Sequence, residues 1–295
     1  MGVAMRSGLG AMLIATSAHA QPNASDTINV VGPKPAEVRK QAESFVRALG
    51  VTEQPVARWI DPICPKAFGV TPEIGRRVTK RIRAVARAAR IRLAEEPCRT
   101  NITVSFVDDG GDMVRRIVAK SPNSLSDLAP GERSQLLNGN APIRWWHSTE
   151  PRTIDGTRTT GNEQPPFAAS DMPGGLPLGG DIVLQYRSSI VSTQMVRALK
   201  AATVIIDAKR ATGTALDSVA AFAALVSLAE IRAGDEAPVN SVLSLFSTDG
   251  PRDLTPLDLN FLRTLYRLPL DRTALAQRGL LIKGLMAAPD SGIQE

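Results

Sequence analysis

The stretch Ala215 to Ile231 (ALDSVAAFAALVSLAEI) constrains this chain more than any other, because its apolar residues fall on every side of a helix rather than along one stripe. Such a helix cannot lie on a surface. Other layers must wrap it, and a chain of 295 residues, 43% hydrophobic and 22% charged, is long enough to build that core. No apolar run reaches the roughly 18 residues that cross a bilayer, which excludes a multispan membrane protein.

The N-terminus has a basic start at Arg6, an apolar stretch from Leu9 to Thr16, and then Ala18-His19-Ala20, the small-x-small pattern of a signal-peptidase site. Residues 1–20 therefore read as a signal peptide cleaved after Ala20, with the mature chain starting at Gln21 in the periplasm or outside the cell. Cleavage removes one arginine and no acid from a chain of formal charge +6, so the mature protein stays basic. Residues 21–54 read as a polar leader followed by a short helix near 36–49, and 55–295 as a single globular domain. Cys64 and Cys98 are the only cysteines, and in an exported protein two lone cysteines are expected to pair. That pairing takes both sulfurs out of consideration as nucleophiles or metal ligands.

The periodicity predicts an α+β domain with a mixed sheet of about four strands. Strands are expected at 101–107 (NITVSFV), 143–148 (IRWWHS), 181–187 (DIVLQYR) and 203–207 (TVIID). The proline-rich stretch 55–72 reads as an ordered loop. Helices are expected at 72–91, 112–120, weakly within 121–140, at 192–200, 215–231, after Pro256 and at 271–286. Eleven of the 33 residues from Ser148 to Gly180 are Gly or Pro, so 148–180 reads as one long loop. Thr71-Pro72 and Thr255-Pro256 are N-cap and first-turn pairs that open helices. If 143–148 is a strand, Trp145 and Trp146 point to opposite faces, and only one is expected in the core.

The helix at 72–91 carries Ile74, Val78, Ile82, Val85 and Ala89 on one face. On the other, Arg76, Lys80, Arg83, Arg87 and Arg90 form a stripe about 80° wide, with Arg77 and Arg81 beside it. In a chain with 27 Arg to 8 Lys such a face can be plain solvation, or a site for an anionic envelope polymer or lipid headgroups.

The segments Asn240-Ser241-Val242, Leu254-Thr255-Pro256-Leu257-Asp258-Leu259 and Leu262-Arg263-Thr264-Leu265-Tyr266 resemble the "LT..D..LLR.LY" tail of uncharacterised, zincin-like secreted proteins of Gram-negative bacteria. Upstream, PVARWIDPICP, the two cysteines and NITVSF resemble an exported proteobacterial family of unknown function. The matching pieces cover about half of the mature chain. The resemblance implies a single zincin-like, metalloprotease-like domain. An active zincin carries two histidines one turn apart on a helix, with a glutamate between them, so that both rings reach one zinc. The corresponding helix here, 215–231, has no histidine, and only His147 remains after cleavage. The HExxH motif is missing, so the resemblance implies a scaffold without its metal site, and no metal or other cofactor is expected.

Other chemistries leave few candidates. His147, in Arg144-Trp145-Trp146-His147-Ser148, is a possible general base or a packed structural ring, but no Gly-x-Ser-x-Gly elbow accompanies it. Asp207 could pair with Glu150, Asp171 or Asp181 as the two acids of a glycoside hydrolase, or simply cap the loop 208–214. Glu230 reads equally as a buried acid or a surface residue. No glycine pattern supports a nucleotide site, and 4% aromatic residues with export argue against nucleic acid. The sequence thus favours a non-catalytic binding or structural protein of the cell envelope. The alternative is a hydrolase of envelope or extracellular polymers working with carboxylates or His147.

Overall fold

A computed structural model describes residues 1–2, 35–50, 54–156, 195–232 and 237–287. The chain divides into two units, Met1–Pro33 and Lys34–Glu295, and the second holds the sheet and its helices. It is an α+β unit built on a four-stranded mixed sheet: β1 (Pro65–Phe68), β2 (Ile102–Val107), β3 (Ile143–Thr153) and β4 (Met195–Asp207), in the spatial order β1-β2-β4-β3. β1, β2 and β4 run parallel, and β3 closes one edge antiparallel to β4.

Helices cover both faces of the sheet. On one side lie α1 (Pro35–Ala48), α2 (Pro72–Ala88), α5 (Leu216–Leu228), α6 (Pro256–Arg267) and α7 (Ala274–Met286), packed on Ile102, Val104, Ile143, Val204 and Ile206. The other side holds α3 (Gly110–Lys120) and α4 (Pro130–Asn138), which pack Val114 and Leu136 on Trp146 and Ile205. The all-apolar helix is where its sequence demands: every residue of α5 from Ser218 to Leu228 is buried.

Several expected boundaries hold for local reasons. The Thr71 and Thr255 hydroxyls accept from the backbone N–H groups of Ile74 and Asp258, each with proline at the start of its helix. Asp258 lies at the centre of the segment that carries the zincin-like resemblance. Its buried carboxylate accepts from the Ser241 hydroxyl and from the N–H groups of Val242 and Thr255, tying the turn at Val242–Ser244 to the start of α6.

Other expectations are corrected. Residues 195–200 (MVRALK) have helix-forming side chains, yet they begin β4, because Val196 and Ala198 are buried and Arg197 on the opposite side has an ion partner. The loop expected from Ser148 starts later, since β3 continues to Thr153 past a register shift at Ser148/Thr149. The proline-rich stretch contains β1, whose exit needs Gly69: its φ is +78°, and a Cβ there would stand 2.1 Å from the Phe106 carbonyl oxygen. The weak helix of 121–140 resolves into a 3-10 turn, Pro122–Leu125, and α4. α1, the short helix expected ahead of the globular domain, packs into its core, with Phe45 edge-on to Phe261 at 5.7 Å. Of the adjacent tryptophans one is in the core, as a strand implies: Trp146 is buried under α3 and α4, while Trp145 on the opposite face is half-buried against the α5 side. The expected strand at 181–187 lies outside the described residues.

Cys64 and Cys98 are bonded, with Cα atoms 6.1 Å apart and a sequence separation of 34. The bridge ties the start of β1 to the segment before β2, around α2. In the chain-entropy view, a loop of that length is worth about 3–4 kcal/mol. Replacing both cysteines by serine is expected to lower the unfolding free energy from urea melts by an amount of that order, measured against the oxidised protein; an unchanged free energy would show that the crosslink contributes nothing.

Candidate functional site

A helix buried to its last residue leaves four C-terminal carbonyls without intrahelical partners, in a core that holds little water. At the end of α5, side chains from three separate segments satisfy the last three. His147 on β3 donates from Nε2 to the Val226 carbonyl at 2.7 Å. Trp59, in the segment before β1, donates from Nε1 to the Ser227 carbonyl at 2.9 Å. The Tyr266 hydroxyl on α6 donates to the Leu228 carbonyl at 2.6 Å, and accepts from the Trp59 N–H at 3.2 Å. Just beyond the helix, Trp145 Nε1 donates to the Ile231 carbonyl at 2.7 Å.

His147 therefore has a defined role in the fold. With a carbonyl as its partner, Nε2 carries the proton and the ring is neutral. Burial pushes its pKa below the usual value, outweighing the Val226 bond and the nearby Glu230 that act the other way. The ring lines a chamber of about 20 Å³ shared with Asp127, Glu132, Glu230 and Arg232, space for about one water. Burial also pushes the Tyr266 phenol up, keeping it a donor at any ordinary pH. Glu230 is pinned by a two-pronged ion pair to Arg197, at 2.7 and 2.8 Å, and accepts from the Ala57 N–H.

The carboxylates expected as hydrolytic candidates are occupied as well. Asp207, at the end of β4, is 2% exposed and accepts from the N–H groups of Gly110 and Arg210 at 3.1 and 3.0 Å. It thus caps the loop that follows it and also holds the start of α3. Glu150 accepts from Arg152, whose guanidinium also binds Asp61 and the Gly156 carbonyl. Burial opposes the Arg152 charge, but the bonds to both acids prevail and raise its pKa.

These candidates do not converge. Along the β3/β4 ladder, His147 is opposite Ala202 and Glu150 opposite Ala198, while Asp207 lies beyond the Ile143–Ile206 pair. At about 3.3 Å per residue, His147 is more than 10 Å from the Asp207 end and Glu150 about 10 Å further on. His147 turns toward α5, whereas Asp207 faces the opposite side, toward α3. Asp171 and Asp181 lie outside the described residues. Among the described residues, no group of three His, Cys, Asp or Glu side chains could hold a metal ion.

The basic stripe survives in reduced form. Arg77 pairs with Asp217, Arg81 with Asp253, and Arg83 with both the Ala94 carbonyl and Glu96. Arg90 leaves the helix, which ends at Ala88, and takes a left-handed φ of 60°. Arg76, Lys80 and Arg87 remain exposed on α2, and none has an ion pair among the described residues. At 100° per residue these three lie within about 40° of one another, in a row about 17 Å long.

The sequence reading missed the arginines that act as caps. Arg144, 3% exposed, donates to the Leu136, Gly139 and Ala141 carbonyls at the end of α4. Arg58 donates to Leu265 near the end of α6, and Arg263 to Ala88 at the end of α2. Arg144 did carry a signal, for it sits inside a strand pattern between apolar residues.

No protein-family model, no curated protein and no solved structure matches the chain.

Two outcomes follow for the buried end of α5. Tyr266→Phe strands the Leu228 carbonyl and is expected to cost about 1–3 kcal/mol in urea unfolding. Because the folded His147 has a lowered pKa, its contribution is whole above about pH 6.5 and falls as pH drops below that value, when only the unfolded chain takes up the proton, by up to about 1.4 kcal/mol per pH unit. His147→Gln keeps an N–H donor and loses the titration. Its stability is expected to vary less between pH 7 and pH 5 than the wild type's, as read from paired urea melts; parallel curves would refute the assignment.

Proposed function

We propose that the protein is an exported, non-catalytic binding protein of the cell envelope that holds an anionic polymer along α2. The observation that carries this reading is a contrast in how side chains are spent. His147, Asp207, Glu150 and Glu230 are all committed to partners within the fold, whereas Arg76, Lys80 and Arg87 stand in one exposed row without a counter-ion among the described residues. Export is supported by the Ala18-His19-Ala20 site and the Cys64–Cys98 bridge. Among the described residues, no helix is long and apolar enough to cross a membrane.

A row of cations along one helix fits a chain with evenly repeated negative charge better than a single small anion. The apolar face of α2 is turned into the core through Val78, Ile82 and Val85, so this helix has no greasy face to insert among lipid tails. A polysaccharide or other linear polymer bearing phosphate or carboxylate groups is the occupant this surface suits. On the zincin-like reading, α5 takes the place of the metal-bearing helix, and its apolar sequence supports a scaffold whose catalytic helix has become core. The hydrolase alternative draws no comparable support, since its three candidate residues share no cleft.

The triple variant Arg76→Glu, Lys80→Glu, Arg87→Glu is the direct test. Retention on immobilised dextran sulfate in low salt is expected for the wild type and lost in the variant, with the melting temperature nearly unchanged because all three side chains are solvated. Arg83 is unsuitable for this purpose, as its reversal would break the contacts to Ala94 and Glu96. Unchanged retention would reduce the row to a solvated face. Stoichiometric zinc in protein purified after export would overturn the non-catalytic reading.

A further inference from the structure

α7 has an apolar sequence (ALAQRGLLIKGLM) without a matching buried surface. Leu281 and Leu285 are buried, but Leu275 is 72% exposed and Leu280 36%. Between this helix and α1 runs a groove of about 490 Å³, lined by Arg39, Glu43 and Arg47 on one wall and by Leu275, Arg278 and Ile282 on the other. Its volume falls in the range of roughly 300–1,000 Å³ typical of small-molecule sites.

The charges in the groove are unbalanced. Arg39 is satisfied by Glu43 at 2.8 Å, while Arg47 and Arg278 are exposed and have no ion pair among the described residues. Gly279 also lines the groove, in the middle of α7, where glycine costs a helix about 1 kcal/mol relative to alanine. A Cβ at that position would meet nothing within 4 Å, so packing within the protein does not require the glycine. Its consequence is an open groove.

We propose that this groove binds a single-chain anionic amphiphile, a fatty acid whose carboxylate engages Arg47 and Arg278 and whose alkyl chain lies along Leu275 and Ile282 over Gly279. Two unpaired guanidiniums above apolar side chains complement a molecule with one charged end and one oily body. A neutral oil would leave the cations unused, and a small hydrophilic anion would leave Leu275 in water. The site is separate from α2 and does not depend on the polymer reading.

The probe is dodecanoate, kept below its micellar concentration and titrated calorimetrically into the full-length protein. Saturable binding of one molecule per chain is expected, with dodecanol about tenfold weaker. Gly279→Trp fills the groove and is expected to weaken dodecanoate by at least about tenfold. The pair Arg47→Glu, Arg278→Glu does so from the charged end, at solvated positions where folding is not at risk. Circular dichroism melts establish that each variant is folded. The triple α2 variant should bind dodecanoate normally, which separates failure here from failure of the polymer proposal. Absence of saturable binding, or wild-type affinity in both groove variants, overturns the site. Binding only to phosphatidylglycerol vesicles also overturns it, in favour of a membrane-docking face.

Discussion

The backbone end of a buried helix is the constraint on which the rest of this structure depends. Making α5 apolar on all sides solves the packing of its side chains and creates a problem for its last carbonyls, which terminate inside the core. Leaving one of them unpaired costs about 1–3 kcal/mol, a sizeable share of a domain's net stability. The donors supplied are the polar tips of large rings. The bodies of His147, Trp59 and Tyr266 fill space as apolar groups do, while one N–H or O–H from each reaches a carbonyl. Because the three rings come from β3, the segment before β1 and α6, the end of one helix fixes three distant parts of the chain against one another.

The same requirement accounts for the choice of arginine over lysine. Arg263 donates to the end of α2, Arg144 to the end of α4 and Arg58 to α6, each from another element. A guanidinium presents several donors in a fixed plane, so Arg144 alone serves three carbonyls, and its cation suits the negative end of a helix. Burial pulls the Arg144 pKa down from its ordinary value, yet an arginine starts so high that it stays charged. A lysine in that position would offer a point charge on a flexible stem. Much of the basic composition is thus spent inside the fold, and overall charge is a poor guide to what the surface binds.

Those two features also separate what was legible in the sequence from what was not. α2, α5 and α6 could be read because local signals agree with burial: a Thr-Pro cap, an apolar face, an all-apolar run. β4 defeated the reading at Met195–Lys200 because its residues have helical propensity, and only pairing with β3 makes them a strand. β1 was hidden by prolines and held only four residues. Trp145 and Trp146 take opposite faces of β3, and only Trp146 is in the core, as strand alternation implies; that the second face is also covered, leaving Trp145 half-buried, has no local signal. For the candidate site the obstacle was different. Periodicity reports which face a side chain takes, not which carbonyl it meets, so His147 looked the same as a general base and as a cap.

A histidine donating to a main-chain carbonyl and a histidine poised beside a nucleophile use the same ring and differ only in the partner of one nitrogen. Here that partner belongs to α5, and releasing the ring for chemistry would strand the Val226 carbonyl in the core. Asp207 and Glu150 stand in the same position with respect to the Gly110 N–H and Arg152. A catalytic group must be able to change its protonation state or partner during turnover, and for each of these residues that change would break a bond within the fold. What the fold leaves uncommitted is exposed charge, set out by the pitch of α2 and the gap between α1 and α7. Those are surfaces suited to holding a ligand by electrostatics, which requires no group to give up a bond that the core depends on.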